Sequence, residues 1–77
     1  MNAAQARKAV RAADRMVGKK VRFVEYTWRD RTRPVREYRT GEVVWSRGRT
    51  HPGAVLVRSP DRFGEFPHSI YKLKVVK

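Results

Sequence analysis

The sequence predicts a mainly β fold: one N-terminal α-helix, then five short strands curled into a small barrel. Three observations lead there. The runs Thr40–Gly41–Glu42–Val43–Val44–Trp45–Ser46 and Gly53–Ala54–Val55–Leu56–Val57–Arg58 are strand-like and joined by one basic loop. Pro- and Gly-bearing turn signals separate the other short apolar runs. The best helical periodicity lies in Asn2–Val17, so the chain divides into a basic amphipathic helix over 1–18 and a barrel over 19–77.

In the helix, Asn2 is placed to cap the first turn and Gln5 to complete a capping box. Gly18 stands where a left-handed residue ends a helix, with Lys19 and Lys20 at the negative end of its dipole. Ala6, Ala9, Val10, Ala13, Met16 and Val17 form one stripe; Arg7, Lys8, Arg11 and Arg15 take the other side. Packing on the strands, a helix–helix dimer and a basic arm on nucleic acid all suit that stripe. A membrane-surface helix suits it less, because the stripe carries Ala rather than Leu, Phe or Trp.

The first strand is Lys19–Trp28. Val21 and Phe23 share one phase and Val24, Tyr26 and Trp28 the other, which predicts a bulge or burial on both faces. A charged loop, Arg29–Pro34, leads to a second strand over Val35–Ser46, where Gly41 marks a bend or bulge. Pro52–Gly53 predicts a type II turn and Ser59–Pro60–Asp61–Arg62 a type I turn. Ala54–Arg58 and Phe63–Phe66 are the third and fourth strands. Pro67–His68–Ser69 then begins a helical turn, and Leu73–Val76 is the last strand.

Gly18–Lys19–Lys20–Val21–Arg22, Gly41–Glu42–Val43–Val44–Trp45 and Pro67–His68–Ser69–Ile70–Tyr71–Lys72–Leu73 resemble three segments of the SH3-like barrels. That group includes Tudor, KOW and integrase C-terminal domains. The segments match its opening, its second strand and the helical turn feeding its final strand, over residues 18–76. Length and layout are also similar to the plasmid-borne type II dihydrofolate reductases, whose activity needs a Val-Gln-Ile-Tyr strand. Phe63–Gly64–Glu65–Phe66 stands at that place, without the pterin-binding Gln. The resemblance therefore implies the barrel and argues against the enzyme.

Charge bounds the partners. The 77 residues carry 19 basic and 7 acidic side chains, a net charge of +12, with 13 Arg against 6 Lys. Such a field attracts polyanions, and Arg adds bidentate contacts and ring stacking. No Cys is present, which removes disulfides and thiolate chemistry and is compatible with the cytoplasm. A chain this short buries a thin core, so self-association as a homodimer is a reasonable source of stability. No apolar run reaches the roughly 18 residues of a membrane span. Met1–Lys20 has the Ala and Arg of a transit peptide but no Ser, and is read as part of the working protein.

Arg29, Arg31, Arg33, Arg36 and Arg39 fall close together, offset by Asp30 and Glu37 and flanked by Tyr26, Trp28 and Tyr38. Cations that displace counterions beside rings that stack on bases are what a polyanion reader needs. The plainer reading is a solvated loop whose rings belong to the core, with Trp28 and Tyr38 as a cross-strand pair. Arg47, Arg49 and His51 form a second patch, expected to join the first because loops at one barrel end cluster. Lys72, Lys74 and Lys77 read as solubilising charges on an edge strand.

Catalytic and metal chemistry lack a constellation. His51 and His68 are isolated, the serines lie in no nucleophile motif, and no cofactor motif is present. The glutamates are expected to pair with Arg. The sequence thus predicts a small, non-enzymatic, cytoplasmic nucleic-acid-binding protein of bacterial, phage or plasmid origin. Its contacts would be largely to phosphates, with Arg7, Arg11 and Arg15 also neutralising backbone. Double-stranded DNA is expected first and RNA second, since no base-reading helix is evident. The alternative is a protein-interaction module that grips an acidic host protein.

Overall fold

Helix α1 spans Ala3–Met16 and carries the capping box. Gln5 N–H donates to Asn2 Oδ1 at 2.8 Å, and Asn2 N–H donates to Gln5 Oε1 at 3.2 Å. Gly18, at φ +89, turns the chain out of the helix, and its N–H donates to Val43 O at 2.7 Å. Ala9 and Ala13 are buried and Met16 packs on the core. Of the three uses of the small-residue stripe, the structure shows packing on the strands. Alanine permits that close approach: Ala9 lies against the turn at Gly53.

This is a computed structural model, and it describes residues 2–28, 32–60 and 62–76. The strands are β1 (Lys20–Trp28), β2 (Pro34–Ser46), β3 (Ala54–Arg58), β4 (Glu65–Ser69) and β5 (Lys74–Val75). They form one antiparallel sheet in the order β4-β3-β2-β1-β5, and hydrogen bonds do not close it between β4 and β5. Between β2 and β3 lies a 3-10 turn, Gly48–Thr50, then the predicted Pro52–Gly53 turn, in which Ala54 N–H donates to His51 O at 3.0 Å. After β3, Arg62 N–H donates to Ser59 O at 3.3 Å, an i to i+3 bond shared by several turn types; Asp61, on which the predicted type I turn depends, lies outside the described residues.

The core is small: Val21, Phe23, Val43, Val55 and Val57 with Ala13, bordered by Met16, Ile70 and Leu73. Three expectations are corrected. Strand β1 pairs with β2 without a register shift, and the irregularity falls in β2 between Val43 and Trp45. The phase change in β1 reflects apolar residues moving to the outward face, not a bulge. Pro67, His68 and Ser69 lie in β4, not in a helical turn. Strand β4 is a sheet edge, where a residue without an N–H is tolerated. The 3-10 turn is Ile70–Lys72, where Ser69 Oγ accepts from Tyr71 N–H at 3.3 Å. Finally, β4 begins at Glu65, leaving Phe63 and Gly64 before it.

Candidate nucleic-acid interface

The β1–β2 hairpin is long, and its register sorts side chains strictly between two faces. Val21, Phe23, Glu25 and Thr27 oppose Gly41, Arg39, Glu37 and Val35 on the inner face. Arg22, Val24, Tyr26 and Trp28 oppose Thr40, Tyr38, Arg36 and Pro34 on the outer face. Past Phe23 the apolar core ends, and the two faces exchange character.

Charge collects on the inner face there. Glu25 and Glu37 are cross-strand neighbours, an arrangement that repels unless a cation lies between them. Arg39 supplies that cation, donating from Nε to Glu25 at 2.8 Å and from Nη2 to Glu37 at 2.9 Å. Arg62, arriving from the turn after β3, also donates to Glu25. On the opposite side of the sheet, Arg58 of β3 pairs with its cross-strand neighbour Glu65 of β4 at 2.7 Å. Three of the four glutamates expected to pair with Arg thus do so.

The outer face is cationic and aromatic. Tyr26, Trp28 and Tyr38 are 63%, 68% and 66% exposed. The Arg22 and Arg36 guanidinium carbons lie 5.9 Å and 5.7 Å from the Tyr38 ring centre, within cation–π range. Among the described residues, this face carries no carboxylate from Arg22 to Trp28 or from Pro34 to Thr40. Glu42, opposite Lys20, is the first acid beyond it.

The predicted site residues separate accordingly. Arg29 and Arg31 lie outside the described residues, and Arg33 is exposed just before β2. Arg36, Trp28 and Tyr38 share the outer face, whereas Arg39 faces inward. Trp28 and Tyr38 are not a direct pair: Trp28 opposes Pro34 and Tyr38 opposes Val24. Neither ring belongs to the core. Arg22, outside the Arg-rich loop in sequence, joins this face through the period-2 alternation that also places Tyr26.

Arg47 and Arg49 do not join the first patch. They follow the other end of β2, thirteen residues from Pro34, or roughly 40 Å of extended chain. The longest extent of the molecule is 43 Å. Arg49 instead meets Arg7 and Arg11 of α1, with Val10 and Pro52, around a groove of about 570 Å³. Arg15 continues that helical row, exposed in the last turn of α1. The structure therefore presents two cationic surfaces, one on the outer face of the hairpin and one where α1 meets the turn after β2.

His68 of β4 lies against Phe23, ring centres 4.4 Å apart. Burial pushes its imidazole below the ordinary value of 6.5; Glu25 opposes this, while Arg62 and Lys72 reinforce it. The folded state thus favours neutral His68, and the unfolded chain takes up its proton first. Stability is expected to be intact above pH 6.5 and to decline as pH falls below it. Thermal melts of the wild type and His68→Gln across that range check this. An identical acid decline in both proteins would assign the effect elsewhere.

No protein-family model, curated protein or solved structure matches the chain. Among the described residues, no helix is long and apolar enough to cross a membrane.

Proposed function

We propose that this protein binds nucleic acid, mainly through phosphates, on a scaffold of the SH3-like kind. The observation that carries the binding reading is the sorting of charge across the hairpin. Glu25 and Glu37 are turned inward and neutralised, while Arg22 and Arg36 are presented outward, where Glu42 is the one carboxylate of the hairpin among the described residues. A net charge of +12 adds long-range attraction, and the Arg7, Arg11 and Arg49 groove supplies a second contact for the backbone. The sheet order, with β5 beside β1 and a 3-10 turn feeding β5, supports the SH3-like scaffold.

A second reading has its own observation. A groove of about 720 Å³ lies between the β3–β4 connection and the start of β1, lined by Lys20, Arg58, Arg62, Pro60, Phe63 and Val76, with Glu42 as its one acid among the described residues. Its basic and apolar lining suits an acidic protein segment, and SH3-like barrels often bind peptides between their loops.

Fluorescence anisotropy of labelled DNA and RNA across a salt series separates the two. Binding at about micromolar Kd near physiological salt, weakening steeply as salt rises, is the expected result. Failure of every nucleic acid to bind, with one-to-one capture of an acidic protein from nuclease-treated lysate, would favour the second reading.

A further inference from the structure

Three large rings exposed on one face of a two-stranded ribbon need an explanation. Single exposed apolar residues are ordinary, but a contiguous patch marks something that covers it. Here the patch is Tyr26, Trp28 and Tyr38, interleaved with Arg22 and Arg36.

We propose that the outer face of the β1–β2 hairpin is a stacking platform for the unpaired bases of a single-stranded nucleic acid. The proposal rests on the nucleic-acid reading above and narrows it to a substrate class. Two residues along a strand span roughly 7 Å, so Tyr26 and Trp28 rise from the sheet at that interval. That interval is twice the roughly 3.4 Å between stacked bases, so one base fits between adjacent rings. Tyr38 lies diagonally across from Tyr26, also roughly 7 Å away, and extends the row onto the second strand. The Arg22 and Arg36 guanidiniums lie over the Tyr38 ring, so a base that stacks there displaces one of them, which is then placed to meet a phosphate.

Other occupants fit this face less well. A second copy would bring two sets of Arg22 and Arg36 together with, among the described residues, only Glu42 at the open end of each face to offset them. A duplex keeps its base faces in its own stack and would leave the three rings unused. Unpaired bases use both halves of the surface: phosphates meet the guanidiniums and bases meet the rings. The sequence alone places double-stranded DNA first; the exposure of the rings moves our preference to single strands.

The test uses the full chain carrying Trp45→Phe, which leaves Trp28 as its one tryptophan. Its fluorescence and affinity are followed with four probes of equal length at one salt concentration. These are single-stranded DNA, RNA of the same sequence, the DNA duplex, and an abasic DNA strand. Stacking predicts quenching by the two base-bearing single strands and weaker binding of the duplex and the abasic strand. Tyr38→Ala should weaken single-strand binding by about 5- to 150-fold while leaving the salt slope unchanged. The order of DNA and RNA names the preferred sugar.

Equal binding of the base-bearing and abasic strands, without quenching, would overturn stacking and leave the phosphate reading standing. No binding to any probe would overturn both. Concentration-dependent quenching without nucleic acid would overturn stacking by showing that a second copy covers the face. The three rings are exposed, so melting temperatures of their variants should stay near that of the parent.

Discussion

Replacing Gly41 by alanine is expected to destabilise the fold by about 2 kcal/mol, a loss of roughly 8–16 °C in Tm for a domain of this size. Gly41 pairs with Val21 near the open end of the hairpin, and β3 crosses close to its inner side. A methyl group there would stand 2.6 Å from Val57 Cγ1, 2.8 Å from Arg58 O and 3.1 Å from Ser59 Oγ. The carbonyl is backbone and Val57 is buried, so neither yields cheaply. With so few core side chains, that overlap is shared with Val21, Val43 and Val55. Thr40→Ala, one residue away on the exposed face, should change Tm little. A Gly41→Ala melt within about 2 °C of the wild type would mean that the strands part there at no cost.

Changing Arg22 and Arg36 together to alanine should weaken nucleic-acid binding roughly a hundredfold, since two charge-assisted contacts are lost. The slope of log affinity against log salt should fall by about 2 units, one per phosphate released. Arg39→Ala supplies the internal control. Arg39 is bound between Glu25 and Glu37 on the inner face, so its loss should lower stability and leave the salt slope nearly intact. An unchanged slope in the Arg22, Arg36 double variant, with the slope reduced in Arg39→Ala, would place the ligand on the wrong side of this hairpin. Arg7 and Arg11 to alanine then reads the contribution of the far groove separately.

Local rules carried much of the fold. The capping box of Asn2 and Gln5, the exit at Gly18 and the turn at Pro52–Gly53 depend on residues within a few positions of one another, and the structure shows each. The mainly β class and the number of strands followed from short apolar runs and turn residues in the same way. The Pro67 segment misled because a proline before a helical turn and a proline on a sheet edge look alike until the edge is known.

The candidate site divides along the same line. Composition by itself determined that the chain is strongly cationic, rich in Arg and aromatic near positions 22–39, and poor in nucleophiles and metal ligands. Only the tertiary structure decided which of those groups face outward. Alternation places Arg22, Tyr26, Trp28, Arg36 and Tyr38 in one phase, but which phase faces the core depends on where that core ends. It ends at Phe23, because Val43, Val55 and Val57 reach no further along the hairpin. Beyond that point Arg62 arrives from a turn 37 residues away to meet Glu25, drawing the acids inward and leaving the rings outside. Contacts at that separation leave no periodic signature in the chain. The two ends of β2 are likewise equivalent in sequence, and their separation is a property of the extended strand that lies between them.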